Sequence, residues 1–183
     1  WSSDVCSSDL LHDSAGSLRT WRELADLAKA GRVRQAGLAL ATTRLGMAAQ
    51  LDRLFETDLA ITELRTLIAS RPESPWGVMA RARLQLGDAL NRMGQTREAE
   101  AEYRAVVTLT SGDGDLADRA RAGLRRTPPA EQSTAYRASL EGWRMLERGD
   151  IRGAAPLITQ AVTLRPADPV FRYREARLHL ARH

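Results

Sequence analysis

The chain has 183 residues, 43% of them hydrophobic and 27% charged, with a formal net charge of +4. This length suffices for a domain with a sizeable buried core, the composition excludes an intrinsically disordered chain, and no apolar run approaches the ~18–20 residues that cross a bilayer. The positive charge comes almost wholly from arginine, since Lys29 is the only lysine. Arginine and glutamate alternate along the chain instead of forming a basic stripe, so we expect no nucleic-acid partner.

The start of the chain, residues 3–10, resembles one reading frame of a widely used sequencing-library adapter. The resemblance implies a metagenomic gene fragment in which residues 1–10 are a non-native, disordered tail and residues 11–183 are the domain, cut at both ends. Cys6 is the only cysteine, so the domain itself offers no disulfide or thiol chemistry. A signal peptide could lie upstream of such a cut, which leaves the localisation open between cytoplasm and periplasm. A genuine serine-rich tail is the alternative, and it would not pack either.

The rest of the chain has apolar residues at helical spacing and is rich in Ala, Leu, Arg and Glu, which are good helix formers. We therefore predict an all-α protein. The segment 47–70 fits either one long helix or two helices broken near Thr57 and Asp58. Pro156 lies early in a predicted helix and is expected to delay its start or to kink it. The predicted helices span residues 18–30, 33–45, 47–70, 75–93, 96–109, 115–125, 132–148, 152–164 and 169–181.

Three copies of one short pattern mark turns between helices. Gly31, Gly94 and Gly149 are each followed by an arginine three residues on and an alanine five residues on. Glycine readily takes the left-handed conformation that ends many helices. The small alanine would allow the second helix to lie close against the first. The pattern therefore predicts tight turns between antiparallel helices.

A second pattern, Arg-Pro-x-Ser/Asp-Pro, occurs at residues 71–75 and 165–169. Its first proline is expected to end the preceding helix. Ser74 and Asp168 are suited to cap the next helix, with Pro75 and Pro169 at its first position. The chain therefore alternates glycine turns with proline-rich turns.

These residues resemble the tetratricopeptide repeat family, whose 34-residue unit carries Leu-Gly, then Ala with an aromatic residue, then Pro. The resemblance implies an α-solenoid of antiparallel helix hairpins with a right-handed superhelix. The spacing is irregular, because the three turn glycines lie 63 and 55 residues apart. An extra amphipathic segment, 116–126, occupies the second gap. The matching positions are Leu86-Gly87, Gly94, Ala99 and Tyr103, then Gly142, Gly149, Ala154, Ala161 and Pro166, with looser matches at Ala60, Leu64 and Pro72 and at Leu24, Gly31, Ala36 and Leu40.

No constellation of residues predicts catalysis. His12, His179 and His183 are scattered and do not converge with Cys, Asp or Glu at metal-ligand spacing. The Gly-rich segment 111–115 contains two aspartates but lacks the spacing of an EF-hand, and it follows a helix rather than a strand. We predict a loop there, with Asp115 favourable at the start of the next helix. The protein is therefore expected to be no enzyme and to need no cofactor or metal.

The resemblance also implies a binding surface. Tetratricopeptide arrays bind extended peptides or partner domains in the concave groove lined by the first helix of each pair. Arginines in this groove would pair with acidic groups of a ligand, and aromatic rings would contact its apolar groups. Trp143 has two interpretations: a groove residue, or a core anchor like Trp21 and Trp76. By register with the family, the groove residues are Arg81, Leu84, Asp88, Asn91, Arg92, Tyr136, Ser139, Trp143, Tyr173 and Arg177.

Three functions remain open at this point. The favoured one is a protein-interaction scaffold that binds a protein or peptide of unknown identity. The second is an envelope assembly factor, because residues 67–103 resemble repeats in bacterial outer-membrane and cell-division accessory proteins. The third is a regulatory array attached to a catalytic domain encoded beyond either end. A secretion or lipoprotein signal in the complete gene would favour the second, and a catalytic domain would favour the third.

Overall fold

A computed structural model describes residues 5–73, 75, 77–126 and 128–182, with side chains from residue 16 onward. These residues form nine α-helices and no strand, which confirms the predicted all-α class. Ser74 and Trp76, to which capping and anchoring were assigned, lie outside the described residues. The helices are α1 (Val5–Lys29), α2 (Ala36–Arg53), α3 (Thr57–Ala69), α4 (Val78–Arg92), α5 (Thr96–Leu109), α6 (Gly114–Arg125), α7 (Ala130–Glu147), α8 (Ile151–Leu164) and α9 (Pro169–Ala181).

Several helix boundaries differ from the prediction. Helix α1 begins at Val5, well ahead of the predicted start at residue 18. Helix α4 begins at Val78 and not at residue 75. Helix α8 begins at Ile151, so the late start expected from Pro156 is wrong. The Asp150 side chain accepts a hydrogen bond from the Gly153 backbone N–H at 2.9 Å, which stabilises this helix start ahead of the proline.

The segment predicted as 33–45 and 47–70 is divided at a different place. Helix α2 continues through Gly46, and the chain breaks at residues 54–56, close to the alternative break proposed near Thr57. Gly46 serves packing instead of a turn: a Cβ added there would lie 2.5 Å from the Trp21 ring. The absence of a side chain therefore allows the tryptophan of α1 to lie directly on the α2 backbone.

The three predicted glycine turns are confirmed. Gly31, Gly94 and Gly149 have φ of 68°, 75° and 82°. A fourth turn of this kind joins α2 to α3, where Phe55 has φ 61° in place of a glycine. The Glu56 N–H donates to the Leu51 carbonyl at 2.8 Å, five residues back, which is the hydrogen bond that closes a Schellman turn.

The first of two compact units contains Trp1–Leu90 and Arg97–Arg126. Its hairpins α2–α3 and α4–α5 repeat with an offset of 39 residues, shown by two equivalent ion pairs. Arg44 contacts Glu63 at 2.7 Å, and Arg83 contacts Glu102 at 2.7 Å. The same offset separates Phe55 from Gly94, so the 63-residue gap between the first two turn glycines contains an extra turn.

Tyr103 of α5 joins three helices of the first unit. Its ring is so close to Gly87 of α4 and Gly123 of α6 that a Cβ on either would lie 2.7 Å or 2.5 Å from a ring carbon. Its hydroxyl donates to the Asp88 carboxylate at 2.8 Å. The two glycines therefore form a slot for the ring, and α6 packs on the α4–α5 hairpin through it.

The second unit contains Asn91–Thr96 and Thr127–His183. Helix α7 packs on α8, α8 packs on α9, and α7 also contacts α9. The α7–α8 approach is close because a Cβ on Gly142 would lie 2.8 Å from Ile158 and 3.1 Å from the Ala154 carbonyl oxygen. Asp168 caps α9 by accepting from the Val170 N–H at 3.0 Å, as predicted.

Candidate protein-interaction surface

The predicted groove residues on α4 contribute little accessible surface. Leu84 and Asn91 are buried, and Arg92 is half-buried. The Asp88 carboxylate accepts the hydrogen bond from Tyr103. Arg81 is the one of the five that is exposed. These residues also fall into two units, since Arg81, Leu84 and Asp88 belong to the first, and Asn91 and Arg92 to the second.

The predicted groove residues on α7 and α9 come together within the second unit. The rings of Trp143 and Tyr173 have centroids 6.1 Å apart and are tilted by 47°. Tyr136 packs edge-on against Phe171, with centroids 6.5 Å apart. Tyr173 is 56% exposed, and Trp143 is half-buried. The aromatic side chains of the two helices therefore meet, and one of them faces solvent.

Arg174 is the residue of this surface that the sequence prediction missed. It is only 3% exposed. Its Nη1 donates to the Ser139 hydroxyl at 2.9 Å, and its guanidinium carbon lies 5.6 Å from the centroid of the Trp143 ring. This is the distance range of a cation–π interaction. Arg174 therefore connects two of the predicted groove residues on α7.

The signal for Arg174 was present in the spacing of α9. Phe171, Arg174 and Leu178 lie at i, i+3 and i+7, which places them on one helix face, and all three are buried. With Glu175 beside it, Arg174 belongs to the alternating arginine–glutamate pattern, which is typical of a solvated helix face. The structure instead pairs Glu175 with Arg172 at 3.0 Å.

Arg177 lies one turn after Tyr173 and is exposed. Residues four apart on a helix share a face, so its guanidinium can reach a ligand that lies on the Tyr173 ring. Within the described residues Arg177 forms no ion pair. We call Trp143, Tyr173, Arg174 and Arg177 the aromatic–arginine patch. It offers the apolar surface of two rings with one buried and one exposed positive charge beside it.

The described residues hold few other candidate sites. A cleft of about 450 Å³ lies between α2 and the end of α3. One arginine at its edge, Arg44, is held by Glu63. No three His, Cys, Asp or Glu side chains in the described ranges are grouped to hold a metal ion. The cleft is lined by Gly37, Leu38, Leu40, Ala41, Arg44, Thr66, Ser70, Pro72 and Glu73.

Comparison with protein-family models, with curated proteins and with solved structures found no match to this chain. None of the helices in the part of the chain that is described is long and apolar enough to cross a membrane. The interpretation of the surface therefore depends on its own geometry.

Proposed function

We propose that the protein is an interaction scaffold that binds a peptide or a partner domain through the aromatic–arginine patch. The observation that carries this proposal is the exposed Tyr173 ring beside Trp143. Aromatic and arginine side chains supply much of the binding energy at protein interfaces. Tyrosine and tryptophan also present large apolar areas at a low cost in conformational entropy.

We further propose that the helices form an α-solenoid of the tetratricopeptide type. Two observations support this arrangement. In the second unit α7 lies against both α8 and α9, as expected when the first helices of successive hairpins share one face. In the first unit the hairpins α2–α3 and α4–α5 carry equivalent ion pairs. The shared face of α7 and α9 is the one that bears the patch.

The proposal is tested by selecting a random displayed peptide library on the immobilised wild-type protein. Selected peptides are then compared by fluorescence anisotropy on Tyr173→Ser and on Leu109→Ser. Leu109 is a matched control because it is 53% exposed, close to the value for Tyr173, and lies on α5 in the other unit. We expect Tyr173→Ser to weaken binding by at least tenfold, as for an interface hot spot, and Leu109→Ser to leave it unchanged.

A second variant examines the predicted groove residues on α4. If Arg81→Glu abolished binding and Tyr173→Ser did not, the binding surface would lie on α4 and the proposal would be wrong. Circular dichroism of each variant establishes that it is folded. All of these substitutions are at exposed positions, where effects on stability are commonly within about 0.5 kcal/mol.

A further inference from the structure

We infer that the ligand of the aromatic–arginine patch is an acidic peptide segment, in which a carboxylate contacts Arg177 and a neighbouring apolar side chain lies on Tyr173 and Trp143. This inference rests on the proposed function and specifies the chemistry of its partner. It follows from the two arginines of the patch and from the ion pairs that engage Glu147 and Glu175 nearby.

Two glutamates of α7 and α9 close to the patch are engaged by other arginines, and the exposed Glu141 is two residues from Trp143, so it projects from a different face of α7. Glu175 contacts Arg172 at 3.0 Å, and Glu147 contacts Arg144 at 2.7 Å. Arg177 forms no ion pair among the described residues. A carboxylate of a ligand would therefore bind Arg177 without displacing an ion-pair partner among the described residues, because a guanidinium donates two parallel hydrogen bonds to a carboxylate.

Arg174 adds a fixed positive charge next to the Trp143 ring. Its hydrogen bond to Ser139 and its position over Trp143 hold the guanidinium in place. Because it is 3% exposed, salt screens its field less than that of a surface side chain. A basic peptide lying on Trp143 would be repelled by this charge, whereas an acidic peptide would be attracted.

The distance between Tyr173 and Arg177 determines how far apart the apolar and the acidic side chain of the ligand must be. Tyr173 and Arg177 are one helical turn apart, about 5–6 Å between neighbouring side chains. An extended peptide advances about 3.3 Å per residue and places alternate side chains on one face. We therefore expect an acidic residue two residues from an aromatic or aliphatic one.

A single-stranded nucleic acid could also stack on the rings, but the charges favour a peptide. Nucleic-acid grooves need a track of cations along the phosphate backbone. Residues 127–183 contain nine arginines and six acidic residues, interspersed along the chain. Arg172 and Arg144 are bound to glutamates. The patch itself has one exposed arginine, which suits a carboxylate better than a run of phosphates.

The test uses the full chain and the displayed random library. Sequences selected on wild type are compared with those selected on Arg177→Gln. We expect wild type to enrich Asp or Glu two residues from an aromatic or aliphatic residue and Arg177→Gln to lose that enrichment. Enrichment of basic or uncharged sequences on wild type would overturn the inference.

The carboxylate contact is then measured with matched peptides. Each selected peptide is compared with its Glu→Gln counterpart on wild type and on Arg177→Gln by fluorescence anisotropy. The acidic peptide should lose about three- to tenfold in affinity on Arg177→Gln, and the amide peptide should lose nothing. Equal losses for both peptides would show that Arg177 does not recognise the carboxylate. Raising the salt concentration should weaken only the acidic peptide on wild type.

Two further outcomes separate this inference from the proposed function. If no peptide distinguishes wild type from Tyr173→Ser, the patch is not a peptide-binding surface and both proposals fail. If binding needs Tyr173 but is indifferent to ligand charge, only the acidic specificity fails. Displacement of a selected acidic peptide by a short oligothymidylate at lower concentration than by the unlabelled peptide would assign the surface to nucleic acid and overturn the inference.

Discussion

Two tyrosines, one in each compact unit, show how differently the units use the same side chain. Tyr103 is buried in a slot between two glycines, and its hydroxyl is bound to Asp88. Tyr173 lies on the outer face of α9 and is more than half exposed. The first ring stabilises the contact of three helices, whereas the second is accessible to a partner. The difference comes from how closely the neighbouring backbones approach each ring and not from the residue type.

Arginines show a similar contrast. In the first unit Arg83 is partly exposed and pairs with Glu102 across the α4–α5 hairpin. In the second unit Arg174 is buried against a hydroxyl and an indole ring. A partly exposed ion pair contributes little to stability, but a buried guanidinium must have its hydrogen bonds satisfied locally. In the second unit, therefore, a buried arginine supports an exposed aromatic surface.

The largest expected effect in this comparison is the loss of the Tyr103 ring. Tyr103→Ala removes a fully buried aromatic side chain and opens a cavity between α4, α5 and α6, so it should destabilise the protein by about 3–5 kcal/mol. Tyr173→Ala should cost less than about 0.5 kcal/mol because the ring is largely exposed. Urea denaturation followed by circular dichroism measures both. Similar losses for the two variants would contradict the assigned roles.

The next effect concerns the close approach of α7 and α8. Gly142→Ala introduces a Cβ that would lie 2.8 Å from Ile158 and 3.1 Å from the Ala154 carbonyl oxygen, at a cost of about 1–3 kcal/mol. Gly37 of α2 is the matched control, because a Cβ added there meets nothing within 4 Å. Gly37→Ala, in the first turn of α2, should change stability by less than about 0.5 kcal/mol. Thermal unfolding should move to lower temperature in Gly142→Ala and stay close to the wild-type value in Gly37→Ala.

Removal of Arg174 should have an intermediate effect on the free energy of unfolding. The same variant also tests whether Arg174 positions the Trp143 ring of the patch. Arg174→Ala breaks a charged hydrogen bond to the buried Ser139 hydroxyl and should cost about 1.5 kcal/mol. Arg172→Ala, two residues away on the exposed side of α9, should change stability by less than about 0.5 kcal/mol. The indole N–H resonance of Trp143 should shift in Arg174→Ala and not in Arg172→Ala. An unchanged Trp143 resonance in both variants would show that Arg174 does not position this ring.

Much of the fold could be predicted from local patterns. Helical periodicity was sufficient for the all-α class, and the glycines at 31, 94 and 149 have the left-handed conformation assigned to them. The turn at Phe55 was placed only approximately, because a bulky residue stands where glycine is usual. Gly46 was misread as a helix boundary, because only the position of Trp21 in space reveals that this glycine serves packing.

The candidate surface was predicted in part by register. Register with the repeat family that the sequence resembles selected Trp143 and Tyr173, whose rings are in contact. The same register selected Leu84, which is buried. It did not select Arg174, because a charged residue beside a glutamate is usually solvated. Burial of a charge depends on what the neighbouring helix offers, here the Ser139 hydroxyl and the Trp143 ring, and a single segment does not contain that information.

The smallest expected effect concerns a turn in the first unit. Ser111 follows α5 with φ 53°, in the left-handed region where a Cβ is disfavoured, and its side chain is exposed. Ser111→Gly removes about 1 kcal/mol of this strain but increases the entropy of the unfolded chain, so the net gain in the free energy of unfolding should be about 0.5 kcal/mol.

Ser70, after α3, is the control, because it has φ −72° and its hydroxyl donates to the Leu67 carbonyl at 2.7 Å. Ser70→Gly should lose about 1 kcal/mol in the same urea titration, since the backbone there needs no left-handed residue and the hydrogen bond is removed. A loss of stability in Ser111→Gly would mean that the serine side chain contributes more to this turn than its backbone strain costs.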